Sequence, residues 1–127
     1  MSLMKGKKGL IMGVANERSI AWGIAKTLSE NGAELAFSYQ NESFRKRLTP
    51  LMNLVKSHKC FECDVSNAAN ELNSIENMFE KISKVWNEID FIVHALAYSD
   101  KEELKGKYVN CSRKNFLNSL DISAFSF

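Results

Sequence analysis

The stretch "GVANERSIAWG", Gly13 to Gly23, decides the fold. It follows the apolar run "KKGLIMG" of residues 7–13, which charge and glycine bound and which reads as a buried strand. It leads into a helical pattern over residues 19–31. Ser19 is a good N-cap, Ile20, Ile24 and Leu28 form a stripe at helical spacing, and Gly32 marks the stop. A phosphate-binding turn between strand and helix needs a tight turn, close backbone approach to the ligand, and helix N–H groups aimed at the anion. Gly13 supplies the turn, and Ala15 is small enough for the approach. Ser19 and Ile20 offer free N–H groups, with the Ser19 hydroxyl as a further donor. Gly23, one turn into the helix, is expected to let helix and sheet pack closely. These parts are spread over a longer loop than G-x-G-x-x-G allows, and a plain strand–turn–helix would carry the same glycine and stripe.

Outward from this stretch the pattern repeats. "ELAFSY", residues 34–39, reads as a second strand, and residues 42–56 as a helix with Phe44, Leu48, Leu51 and Val55 on one face. Pro50 must kink that helix or open a new turn. "HKCFECDV", residues 58–65, reads as a third strand. A long helix over 67–86 follows, with Leu72, Ile75, Phe79, Ile82 and Trp86 at three- and four-residue spacing. "IDFIVHAL", residues 89–96, is apolar on both faces, as a central parallel strand should be. A polar loop, 98–111, precedes a last helix from Ser112 onward. The order βαβαβαβα predicts an α/β fold: a doubly wound parallel sheet with right-handed crossovers. Ligands bind such sheets at the carboxyl ends of the strands, where Gly13, Gln40, Asp64 and the 95–99 loop should cluster.

Bulk properties narrow the function classes. The 127 residues suit one domain, 1–127, and are 45% apolar and 25% charged, as in ordinary globular proteins. A net charge of +2 implies no general pull on nucleic acid, and Arg45-Lys46-Arg47 reads as a solvated helix face. No apolar run approaches the ~18 residues of a membrane-spanning helix. The basic start and "GLIMGVA" mimic a signal peptide, but Asn16, Glu17 and Arg18 stand where small residues would be cleaved. Met4 is read as the native start, after a vector-derived Met1-Ser2-Leu3.

"CFEC", Cys60 to Cys63, matches C-x-x-C. A zinc site would need a second ligand pair, and His58 is the only histidine nearby. A redox pair normally sits at a helix start, whereas this one lies in a strand whose i and i+3 positions face opposite sides. The expectation is unbridged thiols in a reducing cytoplasm and no metal. His94, in the fourth strand, reads as a hydrogen-bonded core histidine rather than an acid or base.

"GVANERSIAWGIAKTLSENGAELAFSYQ" resembles the opening of the bacterial enoyl-acyl-carrier-protein reductases, a divergent branch of the short-chain dehydrogenase/reductase superfamily. That branch carries a glycine, five intervening residues and then Ser-Ile-Ala-x-Gly, as Gly13, Ser19-Ile20-Ala21 and Gly23 do here. The similarity continues through "CDV", "VW" and "DFIVHALAYSDKEELKGKYVN" to "FLNSLDISAFSF". It implies a Rossmann fold that binds NADH, with Gln40 near the adenosine ribose and Asp64-Val65 along the adenine. From position alone Asp64 could equally cap the next helix. Ala95, Leu96 and Ala97 would cross the strand end against the cofactor, and Tyr98 and Ser99 would line the acyl pocket. Many relatives have glycine at Ala97. Gln40 brings no charge, and no Arg or Lys lies within Ser38 to Ser43 for a 2′-phosphate, which favours NADH over NADPH.

The resemblance implies hydride transfer to the trans-2 double bond of an enoyl chain on acyl carrier protein, in a cytoplasmic homotetramer. Helices 67–86 and 112 onward would take part in subunit packing. In that family a Tyr-x6-Tyr-x6-Lys arrangement holds the enolate and the nicotinamide ribose. Tyr39, Tyr98 and Tyr108 are the only tyrosines here, and none stands in such an arrangement. The chain is therefore expected to carry the cofactor-binding half, truncated before that segment, with no catalytic residue of its own. The alternative is a non-catalytic NAD-binding or oligomerisation module.

Overall fold

A computed structural model describes residues 2–66 and 74–127. Four parallel strands form one sheet in the order β3-β2-β1-β4. They are β1 (Lys8–Met12), β2 (Glu34–Tyr39), β3 (Cys60–Glu62) and β4 (Phe91–His94). Ile11 pairs with Phe37 on one side and with Val93 on the other, so β1 is central. The chain moves outward from β1 to β3 and then returns to the far side of β1. The switch point therefore lies between β1 and β4, where such sheets open a crevice.

Alternation along the strands splits the core into two layers. Ile11, Leu35 and Phe37 face α1 (Ile20–Glu30) and α2 (Glu42–Leu54), packing on Trp22, Ala25 and Leu48. Leu10, Met12 and Ala36 face α3 (Ser74–Ser83), packing on Met78, Ile82 and Trp86. Helices thus cover both faces, as the βαβ order predicts.

The buried face of α1 is not the isoleucine stripe. Ala21, Trp22 and Ala25 are buried, Leu28 is partly so, while Ile20 is 80% exposed and Ile24 is 37% exposed. Ala21 and Ala25, one turn apart, let the helix sit close to the sheet, and Trp22 fills the space beside them. Gly23 lies on the outer side: a Cβ there would meet nothing within 4 Å. The alanines, not Gly23, provide the close approach. Gly23→Ala is therefore expected to raise stability by about 0.5–1 kcal/mol, because glycine in a helix interior carries an entropic cost that open space does not repay. A thermal melt should show a rise of about 2–5 °C; an unchanged or lower midpoint would contradict the open placement.

Other boundaries follow local chemistry. Gly32, at φ 96°, closes α1 with Gly32 N–H donating to Ser29 O (3.0 Å) and Ala33 N–H to Leu28 O (3.1 Å). Asn41 caps α2 by accepting from the Phe44 N–H at 3.2 Å. α2 runs through Pro50 as one helix, so no new turn opens there. The ring removes the N–H that would reach the Lys46 carbonyl, on an exposed residue. The expected helix over 67–86 ends earlier, at Ser83, and its stretch 67–73, with Leu72, lies outside the described residues. Met78 takes the core position, and Phe79 is 36% exposed. Trp86 stays buried beyond the helix end, donating Nε1–H to Glu34 Oε1 at 3.2 Å. Lys59 Nζ lies 3.0 Å from the same oxygen, and these two bonds hold the Glu34 carboxyl below its ordinary range.

β3 is shorter than residues 58–65, and β4 shorter than 89–96. Cys60 packs with the α1–α2 layer and Cys63 with the α3 layer, so the pair does face opposite sides. β4 is an edge strand among the described residues, and Ile92 is 46% exposed, unlike the two-sided burial its composition suggests. After β4 the chain makes two short 3-10 turns, Lys101–Leu104 and Tyr108–Asn110. It then enters α4 (Arg113–Leu120), which Ser112 caps by accepting from the Asn115 N–H (3.1 Å) and which widens into a π turn, Asp121–Phe125.

Candidate functional site

The carboxyl ends of β1, β2, β3 and β4 converge on one cleft. It holds about 210 Å³. That is below the ~300–1,000 Å³ of a closed small-molecule pocket.

Its first wall is the turn after β1. Gly13 has φ 109°, a left-handed conformation that favours glycine. A Cβ there would come within 2.1 Å of the Ala95 carbonyl oxygen, so the turn packs directly on the end of β4. Val14 is buried and anchors the loop, and Ala15 opens onto the cleft.

Ser19 holds the N-cap position of α1, but its hydroxyl does not cap the helix. Ser19 Oγ instead accepts from the Ala15 N–H (2.9 Å) and the Asn16 N–H (3.1 Å). Both lone pairs thus tie the loop to the helix start, and the hydroxyl proton remains to be donated outward. The Ile20 N–H lies outside the intrahelical ladder, at the positive end of the helix dipole. Ser19 and Ile20 stand at the helix start behind the cleft lining rather than within it.

The opposite end is built by β2 and the segment after β3. Gln40 Nε2 donates to Asp64 Oδ2 at 3.4 Å. Asp64 Oδ1 accepts from the Ser66 N–H (2.9 Å), and the Asp64 N–H donates to Ser74 Oγ (3.0 Å). One oxygen of Asp64 thus closes a turn and the other accepts from Gln40 in the cleft. Val65 is buried beside it. Arg45 pairs with Glu42 at 3.4 Å and is not part of the lining. Burial pushes the Tyr39 phenol and the Cys63 thiol up, so both are neutral near pH 7. Among the described residues, Asp64 is the only acidic or basic side chain in the lining.

Ala95, Leu96, Ala97 and Tyr98 form the wall beyond β4. Ala97 is not among the positive-φ residues, so alanine is unstrained there. His94 Nε2 lies 2.9 Å from Ser126 Oγ and its ring meets Phe127 edge-on at 5.2 Å. It is hydrogen-bonded as expected, though only partly buried. Ser99 faces away from the lining: its Oγ accepts from Asn115 Nδ2 at 3.1 Å.

The cleft therefore gathers Gly13, Ala15, Gln40, Asp64, Val65, Ala95, Leu96, Ala97 and Tyr98 from the sequence reading. It adds Val14, Ser38, Tyr39, Phe44, Cys63 and Ile122, which that reading missed. Val14, Tyr39 and Cys63 each adjoin a residue of that reading, Ser38 lies near the end of β2, and Phe44 comes from the first turn of α2. Ile122 arrives from the π turn after α4, and no local signal marks it.

A doubly wound sheet with a glycine turn after its first strand and a cleft across the strand ends defines the first half of a dinucleotide-binding fold. The chain belongs to the enoyl-(acyl carrier protein) reductase family, whose model matches residues 13–127. It is 49% identical over 125 residues to the enoyl-[acyl-carrier-protein] reductase [NADH] 1 of Rhizobium meliloti, covering 98% of this chain and 44% of that protein. The crystal structure of FabI from Candidatus Liberibacter asiaticus superposes with a TM-score of 0.94 at 51% identity, covering 100% of this chain and 48% of that one. The reductase of Anaplasma phagocytophilum, solved in complex with NAD, gives a TM-score of 0.91 at 50% identity, covering 98% of this chain and 46% of that one. The chain thus spans about half the length of the relatives it matches.

Proposed function

We propose that this chain is the nucleotide-binding part of an NADH-dependent enoyl-acyl-carrier-protein reductase of fatty-acid synthesis. The observation that carries the reading is the cleft that runs from the Gly13–Ala15 turn to the Gln40–Asp64 pair. The pyrophosphate would lie on the loop, received by the Ser19 hydroxyl and the Ile20 N–H. The adenosine would lie between Gln40, Asp64 and Val65. The segment Ala95 to Ala97 would back the nicotinamide half, and Tyr98 would border the acyl chain, while Ser99, expected there too, is turned toward Asn115. Bound NADH supplies the hydride for the β-carbon. The residues of this chain bind and orient it, and the enolate and ribose contacts of the family's Tyr-x6-Tyr-x6-Lys fall to no residue of 1–127.

The adenosine end supports NADH over NADPH. Gln40 is uncharged, and no Arg or Lys lies within Ser38 to Ser43 to hold a 2′-phosphate. Gln40→Arg is expected to shift the NADPH:NADH affinity ratio about tenfold toward NADPH, or ~1.4 kcal/mol. Fluorescence titration with each nucleotide checks this, and an unmoved ratio would take Gln40 away from the ribose.

The reading includes a cytoplasmic enzyme acting on enoyl chains borne by acyl carrier protein, assembled as a homotetramer. No helix among the described residues is long and apolar enough to cross a membrane. Phe116, Leu117 and Leu120 of α4 are 44–56% exposed, which suits a subunit contact. The second reading, a non-catalytic NAD-binding or oligomerisation module, draws on the lack of a Tyr-x6-Tyr-x6-Lys arrangement in these residues. Intact mass and NADH oxidation on a crotonyl thioester separate the two. Turnover by a protein about twice this length supports the reductase; nucleotide binding without turnover by the 127-residue chain supports the module.

A further inference from the structure

The wall that carries Tyr98 is held by side chains from α4 and its π turn. Asn115 is 7% exposed and is one of three buried polar side chains among the described residues. Its Oδ1 accepts from the Asp100 N–H at 2.7 Å and from Ser119 Oγ at 3.5 Å. Its Nδ2 donates to Ser99 Oγ at 3.1 Å and to Cys111 Sγ at 3.6 Å. One carboxamide therefore holds both residues that follow Tyr98. Its own backbone is set by Ser112, whose Oγ accepts from the Asn115 N–H at 3.1 Å. Glu103 binds Ser112 in turn, accepting from its N–H and, at 2.7 Å, from its hydroxyl. A second clasp acts on Tyr98 itself: its N–H donates to Ser123 Oγ at 2.9 Å.

Segment 97–112 is otherwise open to water, and its two 3-10 turns hold no buried residue. Nothing local fixes Tyr98 at the cleft mouth. A buried amide with every hydrogen-bonding position engaged is costly to misplace, so it selects one backbone arrangement over others. Ser99, turned from the cleft toward Asn115, is part of that clamp.

We propose that Asn115 is a positioning residue of the cleft: through Ser99 and Asp100 it sets where Tyr98 stands, and so it governs affinity on the acyl side and not on the nucleotide side. The inference rests on the reading of Tyr98 as an acyl-pocket residue. It also gives the long excursion after β4 a role, as a wall whose position is set from α4.

The test uses Asn115→Leu, which keeps the branched shape, is bulkier and cannot hydrogen-bond, and Asn115→Asp, which keeps the acceptor for the Asp100 N–H and loses the donor to Ser99. Both are made in the intact protein that carries this chain. Hydrogen exchange at the Asp100 amide is expected to rise about tenfold in Asn115→Leu and to stay near wild type in Asn115→Asp. The KM for a crotonyl thioester is expected to rise about tenfold in Asn115→Leu and less in Asn115→Asp, with NADH affinity held within about twofold. A KM unchanged in both variants, or NADH affinity falling in step with KM, overturns the proposal and leaves Asn115 a stability residue. If the wild type oxidises no NADH with the thioester, the reductase reading fails by itself. The exchange at Asp100 then decides the clamp: unchanged protection in Asn115→Leu overturns it, and the expected rise upholds it. Should Asn115→Leu fail to fold, Ser99→Ala, which removes one partly buried partner, is expected to raise KM about threefold, and no change overturns the proposal.

Discussion

Gly13→Ala is expected to lose nucleotide binding and to destabilise the protein by about 2–5 kcal/mol. Two independent costs add. The φ of 109° lies where a side chain is strained, at roughly 1–3 kcal/mol. The new Cβ would also stand 2.1 Å from the Ala95 carbonyl oxygen, and that neighbour is backbone at the end of a strand, so it cannot swing aside. Either the β1 turn or the β4 end must move, and both are walls of the cleft. Relief of the overlap thus opens the site as well as weakening the core. Urea unfolding should show a lower midpoint with an unchanged slope, and NADH titration should show no saturable binding. A variant with wild-type midpoint and affinity would mean that the turn is not packed on β4.

Ser19→Val carries the second largest effect. It should weaken NADH binding by about 1–2 kcal/mol, roughly 5–30-fold, with a much smaller change in stability. The hydroxyl acts in two directions. It accepts from the Ala15 and Asn16 N–H groups, which shapes the loop, and its own proton is left for a further acceptor, in the proposed function a pyrophosphate oxygen. Valine removes both and adds a methyl where the proposed pyrophosphate would approach. Ser19→Thr keeps the hydroxyl and is expected to lie within about threefold of wild type. Affinity unchanged in Ser19→Val would take the pyrophosphate away from this loop.

Much of the cleft was readable because strand-end position follows from the βα order. Gly13, Gln40, Asp64 and Ala95 each close a predicted strand, and a parallel sheet brings such ends together whatever the side chains. Facing was less readable. In α1 the larger isoleucines look like the core stripe, yet Ala21, Trp22 and Ala25 are the buried face. Volume misleads there, because a helix packed close to a sheet favours small residues. Pro50 is similar: its local chemistry predicts a kink or a new turn, and the packing of Leu48, Leu51 and Met52 on the sheet keeps one helix, so of the two only the new turn is ruled out.

By themselves, the residues determined the α/β order, the glycine turn, the stop at Gly32 and the uncharged Gln40, since each depends on neighbours within a few positions. Only the tertiary structure decided which face of α1 is buried and that Gly23 meets open space. It alone turned the Ser19 hydroxyl back onto its own loop. It also brought Ile122 and Asn115, from beyond a long excursion, to the wall at Tyr98. These outcomes are set by which surfaces meet across the sheet and by which buried polar groups must find partners, and neither condition is written in local spacing.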